Sequence, residues 1–234
     1  MVFSSFVFVY LFLPLFLGAY FVTPRRGRNL TLALASYVFY GWWDWRFLGL
    51  IVLSSLVDHQ VGLALGRTTD PRARRRWLGL SLAANLGMLG TFKYYDFFVT
   101  SLAGALAPMG IHLHPFTLDW VLPVGISFYT FQTLSYTIDV YRRDLEPTRD
   151  MLAFFAYVAF FPQLVAGPIE RATNLLPQFL SPRRFDPARA VDGLRQMLWG
   201  LFKKVVIADN CARVVDDIFS RSDTLPGPVL VLGA

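Results

Sequence analysis

Residues 2–22, 47–66, 77–98 and 120–140 are each predominantly apolar and about as long as a helix must be to cross a hydrocarbon core, roughly 20 residues. This repetition constrains the fold more than any other feature. Inside lipid every backbone N–H and C=O has to be paired, and a single segment can manage that only as a helix. Shorter apolar segments follow at 30–43, 151–169 and 191–208. The expected fold is all-α: a polytopic membrane protein built from transmembrane helices. Composition points the same way, with 55% apolar and 16% charged residues and a mean hydropathy of +0.45, a balance rare in soluble domains.

The N-terminal run VFSSFVFVYLFLPLFLGAYFV has no charged side chain before Arg25. It lacks the basic start and small-residue cleavage site of a secretory signal, so it reads as a retained transmembrane helix. Pro14 predicts a kink within it. The last residues, VLVLGA, read as the start of a further span. Residues 1–234 are therefore expected to be the N-terminal part of a single membrane domain, truncated at its C-terminus.

Lys and Arg number 22 against 16 Asp and Glu, and much of the excess lies in short arginine clusters between apolar runs. Arg25, Arg26 and Arg28 form one, Arg67, Arg72, Arg74, Arg75 and Arg76 a second, and Arg142, Arg143 and Arg149 a third. Such clusters set topology and are expected on the cytoplasmic side. Between Tyr94 and Tyr141 there is no Lys or Arg, which puts the loop 101–119 outside. Nucleic acid is not an expected partner, because no stripe of basic and aromatic residues appears. The single cysteine, Cys211, forms no internal disulfide, and no Cys/His spacing suggests a metal site.

The alternation of sides fails at FFPQLVAGPIERATNLLPQF, residues 160–179. A full crossing by 151–169 would place Arg171, Arg183, Arg184, Arg189 and Arg195 outside. Proline removes a backbone donor and clashes with the preceding turn, and residues 151–161 reach only about 16 Å as a helix, roughly half the core. A proline-broken re-entrant segment resolves the conflict. Irregular backbone at that depth must be buried in protein or line a cavity, so this stretch is expected to form a cavity wall.

Three histidines are available for acid–base work. Asp58 and His59 lie within an apolar segment, where ionisable groups are costly and suggest function. Neighbouring positions on a helix point about 100° apart, however, so Asp58 cannot orient His59. The simpler expectation is that both are structural and hydrogen-bonded to another helix. His112 and His114 sit in the outer loop and are expected to be solvated. GWWDWRF, residues 41–47, reads as an interfacial tryptophan belt in which Asp44 and Arg46 pair. Asp186 followed by Pro187 marks a helix start, beyond which Val191, Leu194, Leu198, Leu201, Val205 and Ala208 recur at helical spacing. Lys203 and Lys204 lie inside that apolar run and must snorkel or face a polar cavity. With Lys93, Asp96, Asp139, Glu170 and Arg171, these charges suit a transporter and an intramembrane transferase alike.

LPVGISFYTFQTLSYTIDVYRR (122–143), FFPQLVAGPIERATNLLPQF (160–179) and WGLFKKVVIADN (199–210) resemble the membrane-bound O-acyltransferase family, in particular its bacterial branch that acetylates alginate and related exopolysaccharides. GWWDWRFLGL and FKYYDFF agree with that branch, and the motifs keep their order along the whole chain. One departure is His59, where relatives commonly carry Tyr after the aspartate. The resemblance implies an enzyme of the bacterial inner membrane that takes an acyl group from a cytoplasmic donor, acetyl-CoA or another acyl thioester. It would pass that group to hydroxyls of an extracytoplasmic polysaccharide, with accessory envelope proteins as partners, membrane lipid around it and no bound cofactor. It also implies a general-base histidine beyond Ala234 and hence no catalytic residue within this chain. The substrate-facing candidates are Gln163, Glu170 and Arg171 on the broken segment, with Gln178 beside them, and Lys203 and Lys204 at the donor side. For the broken segment the competing role is to satisfy carbonyls that the prolines leave free. A transporter or flippase of a lipid-linked glycan, or a catalytically silent membrane scaffold, is the alternative. A repeat-built transporter should show two corresponding broken segments, and only one is visible.

Overall fold

The computed structural model describes residues 1–110, 116–118, 123, 125–164, 167–168 and 170–233. All regular structure among them is helical. The chain divides into two compact units, one of Met1 with residues 15–182 and one of residues 2–14 with residues 183–234.

Helix α1 (Leu13–Val22) follows a π-helical turn at Val7–Phe12. The Leu13 N–H reaches back to the Phe8 carbonyl, a five-residue step just before Pro14. Widening the helix there gives room to a ring that would clash with the turn below it. The irregularity at this point is a π-turn directly before Pro14.

In the first unit, α2 (Arg28–Gly41) leads through a short 3₁₀ turn at Trp45–Phe47 into α3 (Leu48–Arg67). The helical stretch Trp45–Arg67 is the one helix among the described residues long and apolar enough to cross a membrane, while Val7–Val22 and Met151–Leu164 are shorter apolar helices. Next come α4 (Pro71–Leu89), a π-turn at Gly90–Tyr94 and α5 (Tyr95–Leu106). Then follow α6 (Ile126–Arg142), α7 (Met151–Val158), α8 (Phe161–Leu164) and α9 (Ala172–Leu180). Helices α3, α4 and α6 pack on one another, and α7 packs on α2 and α9. Between them lies the core, with Ile51, Leu65, Tyr129, Tyr136, Phe154 and Tyr157 fully buried.

Polar side chains are threaded through this packing in a regular way. Ser54 and Asp58 on α3, Ser81 and Asn85 on α4, and Thr133 and Thr137 on α6 are all buried. Each pair is four residues apart and so faces one direction from its helix. Ser54 Oγ donates to Asn85 Oδ1 at 2.7 Å, and Asn85 Nδ2 donates to Asp58 Oδ2 at 2.7 Å. Ser81 Oγ donates to Asp58 Oδ1, which also accepts from Thr137 Oγ1 at 3.1 Å. Asp58 is therefore structural, bonded to two other helices. His59 departs from the same expectation: its ring is buried against Phe154, and the Thr148 backbone approaches it without hydrogen-bond geometry.

Arg74 also differs from its sequence role as one member of a topogenic cluster. It is buried and donates to the carbonyls of Leu65 at 2.5 Å, Thr68 at 3.1 Å, Val140 at 3.1 Å and Tyr141 at 2.8 Å. These lie at the C-terminal ends of α3 and α6, where the last carbonyls of a helix have no partner of their own and carry its negative dipole end. One guanidinium closes both helices.

The second unit contains α10 (Pro187–Phe202), a π-turn at Lys203–Ala208, α11 (Asp209–Ser220) and α12 (Gly227–Gly233). As expected, Asp186 caps α10, accepting from the N–H groups of Ala188 at 3.0 Å and Arg189 at 3.2 Å, with Pro187 in the first turn. The apolar stripe along α10 and the π-turn is exposed at Val191, Leu194, Leu198 and Val205.

Candidate functional site

The broken segment was the sequence's strongest pointer to a site, and its helix does break. The interruption falls at residues 159–160, between α7 and α8, immediately before Pro162. A continuous helix would pair the Phe161 N–H with the Tyr157 carbonyl. Instead the Phe161 N–H donates to Ser36 Oγ of α2 at 3.2 Å, and the Tyr157 carbonyl accepts from Gln132 Nε2 of α6 at 2.9 Å. Tyr157 Oη returns a hydrogen bond to the Gln132 carbonyl at 3.2 Å. Two neighbouring helices thereby take over the backbone groups freed by the break, which is what burial away from water demands.

A second interruption surrounds Pro168. Gln163 is buried, and its Nε2 donates to the Pro168 carbonyl at 2.9 Å while its Oε1 lies 3.4 Å from Gln132 Nε2. Its side-chain amide thus serves the backbone, the competing role in the sequence reading. The Gly167 N–H closes the turn on the Gln163 carbonyl at 3.0 Å. A Cβ on Gly167 would sit 2.7 Å from Gln163 Cα, so only glycine fits this turn. Gly125, at φ +77°, is held to glycine by its left-handed backbone and by the Leu164 carbonyl, 3.0 Å from where its Cβ would be. Pro177 does not break the chain and lies within α9.

Glu170 and Arg171 are exposed at the start of α9. Arg171 and Arg142 lie close enough to act on the carboxylate of buried Asp139, which also faces the Thr173 backbone N–H. The remaining polar candidate, Gln178, is exposed and donates to the Asn174 carbonyl one turn back at 3.1 Å. Of the broken segment's candidates in the first unit, Gln163 is thus turned to the backbone, while Glu170 and Arg171 are exposed.

Lys203 and Lys204 belong to the second unit. Both are exposed on the π-turn. Lys203 Nζ lies 5.8 Å from the centre of the Trp199 ring, a cation–π contact. Lys204 pairs with Asp209, a partner that the sequence reading did not identify. Of the other charges in apolar segments, Lys93 donates to Ser127 Oγ at 3.0 Å, and Asp96 accepts from the Leu118 N–H at 2.8 Å. Asp44 and Arg46 pair as expected, with Arg46 Nη2 2.5 Å from the carboxylate. The Arg46 hydrogen bonds hold the Asp44 carboxyl below its ordinary range. His112 and His114 lie outside the described residues.

No family model matches this chain. Its sequence is 44% identical to the probable alginate O-acetylase AlgI of Azotobacter vinelandii over 229 residues, which is 97% of this chain and 45% of that protein. It is related to the alginate O-acetylases. The corresponding protein of Pseudomonas aeruginosa is 43% identical over 97% of this chain and 44% of its own length. A peptidoglycan O-acetyltransferase of Helicobacter pylori is 33% identical over 96% of this chain and 48% of its own. The chain thus spans about half the length of the curated relatives it matches. No solved structure matches it.

The matched span takes in nearly the whole chain, 97% of it in the first two comparisons. Ser36, Gln132 and Arg74 carry no site role by sequence alone, although they hold the irregular segment and close the helix ends. A serine or glutamine inside an apolar helix facing a proline-rich stretch is the only signal for the first two. Nothing in the arginine cluster distinguishes Arg74 except its helical phase.

Proposed function

We propose that residues 1–234 form the N-terminal part of a multi-pass O-acyltransferase of the bacterial inner membrane. The enzyme would carry an acetyl group from a cytoplasmic thioester, acetyl-CoA or another acyl carrier, to hydroxyls of an extracytoplasmic polysaccharide such as alginate. The observation that carries this reading is the identity of 44% over 97% of the chain with a protein named an alginate O-acetylase.

In the transfer the acceptor oxygen forms a bond to the thioester carbonyl carbon. The carbon–sulfur bond breaks, the hydroxyl proton passes to a base and the thiol leaves. Among the described residues His59 is the only histidine, and it is enclosed by protein; we place the base outside residues 1–234, as the resemblance to the acyltransferase family implies. The contribution of this chain is the wall past which donor and acceptor meet. Its backbone is bent at Pro162 and Pro168 and held by Ser36, Gln132 and Gln163, with Glu170 and Arg171 at its open end. Lys203 and Lys204 would draw the phosphates of the donor carrier. Accessory envelope proteins would present the acceptor.

The relationship to a peptidoglycan O-acetyltransferase supports a second acceptor, the amino-sugar hydroxyls of peptidoglycan. Deleting the gene and analysing ester-linked acetate on each envelope polymer separates the two. Loss from alginate or another exopolysaccharide supports the first acceptor, loss from peptidoglycan the second, and unchanged acetate on every polymer would reject the transferase reading.

A further inference from the structure

The start of α4 divides its arginines between two opposite faces. Arg74 turns inward to close α3 and α6, whereas Arg72, Arg75 and Arg76 stay exposed and, together with Pro71, border a cleft of about 510 Å³. Positions 72, 75 and 76 are separated by three and four residues, so their guanidiniums share one face of the helix, where like charges repel. No carboxylate among the described residues pairs with them. The ion pairs Asp44–Arg46, Asp186–Arg189, Lys204–Asp209 and Asp217–Arg221 all involve other residues. The adjacent carboxylate, Asp70, is occupied as the helix cap by the N–H groups of Arg72 at 3.2 Å and Ala73 at 3.0 Å. Capping also removes the free N–H groups of the helix start as a binding element, leaving the side chains to do it.

We propose that this cleft binds the phosphate of an anionic phospholipid headgroup. The inference rests on the proposed membrane location, with the start of α4 at the cytoplasmic face. Guanidinium groups match phosphate oxygens in bidentate geometry and are the side chains best suited to this ligand. What selects a lipid over a soluble phosphate is the sequence that follows. Trp77 and Leu80, directly beyond the arginines, are exposed at 38% and 50%. An interfacial tryptophan next to outward-facing leucine marks the level where headgroups give way to acyl chains. A lipid seated there would place its phosphate among the arginines and its chains along Trp77 and Leu80. The anion would relieve the repulsion among three cations on one face.

The test uses the full-length protein reconstituted in bilayer nanodiscs and in neutral phosphatidylcholine vesicles, with bound lipid counted after detergent extraction by native mass spectrometry. Phosphatidylglycerol should be retained over phosphatidylcholine by about tenfold or more, given that a basic side chain near an anionic surface contributes about 1 kcal/mol. The Arg72→Gln/Arg75→Gln/Arg76→Gln variant should lose that preference, and the corresponding triple lysine variant, which keeps charge without the bidentate fork, should retain part of it. Arg25→Gln/Arg26→Gln, which removes two cytoplasmic charges elsewhere, should leave it intact. An equal loss in this control would reduce the effect to diffuse attraction and overturn the site. Displacement of phosphatidylglycerol by micromolar coenzyme A would assign the cleft to a soluble donor phosphate and overturn the lipid. Far-UV circular dichroism of each variant confirms that it folds, with the lysine triple as the readout should the glutamine triple not. Failure to insert even into neutral vesicles would reject the membrane location itself, whereas insertion without phosphatidylglycerol preference would reject only the cleft.

Discussion

Replacing Arg74 by alanine should be among the most damaging single changes in the first unit, although its position within RARRRW suggests an interchangeable surface charge. The guanidinium donates to four backbone carbonyls, of which those of Leu65 and Val140 are buried and those of Thr68 and Tyr141 partly so. A hydrogen bond to a charged group contributes about 1.5–3 kcal/mol, and a buried acceptor left unpaired costs about 1–3 kcal/mol. The two partly buried carbonyls can recover water, so most of the loss comes from the other two. Together with the packing of the aliphatic stem, this gives about 3–5 kcal/mol, a large share of the 5–15 kcal/mol typical of a folded domain. Lysine should restore less than half, because one ammonium cannot span the ends of two helices. Unfolding of the purified chain in mild detergent, followed by far-UV circular dichroism against denaturant, measures the change. A midpoint for Arg74→Ala equal to that of the parent, or a loss equal to that of Arg75→Ala, would refute the bridging role.

Asp58→Leu should cost about 3–5 kcal/mol in the same assay, because the donors on Ser81, Asn85 and Thr137 lose their shared acceptor; a neutral outcome would mean that the network is expendable. For topology, cysteines at 69, 174 and 181 in a Cys211-free background should all be protected from an impermeant reagent added outside intact cells. These positions are exposed and spare the Asp70 cap, so labelling at both 174 and 181 would show that the broken segment crosses. Lys203→Ala/Lys204→Ala in the full-length protein should raise the apparent KM for the acyl donor with kcat unchanged, and an unaltered KM would leave Lys204 only its pair with Asp209.

The helical class was written in the apolar runs, and the interruption at 159–160 was legible because proline leaves a physical signature. Pro177 shows the limit of that signature, since it lies inside α9 without ending it. The Asp186–Pro187 cap was also legible, and Asp70–Pro71 obeys the same rule at the start of α4. The buried network was encoded as well, in the four-residue spacings Ser54/Asp58, Ser81/Asn85 and Thr133/Thr137. Pairing them required knowing that α3, α4 and α6 are mutual neighbours, which no local pattern supplies. Arg74 was illegible for a related reason. Its role depends on the ends of two helices meeting beside it, so within its own segment only helical phase separates it from the three arginines that face outward. Gln163 was singled out by its place next to prolines, whereas Ser36 and Gln132, the side chains that hold the break, come from helices far away in the chain.

The most direct test of the proposed function is acetyl transfer by the full-length protein reconstituted in proteoliposomes. Radiolabelled acetyl donor is supplied on the cytoplasmic face and an unacetylated uronate polymer on the other, with any accessory envelope proteins added back. The expected result is alkali-labile label on the polymer, lost when Pro162→Ala straightens the break, with insertion of the protein preserved. Passage of donor or polymer across the bilayer with no ester formed would contradict the transferase and favour a transporter.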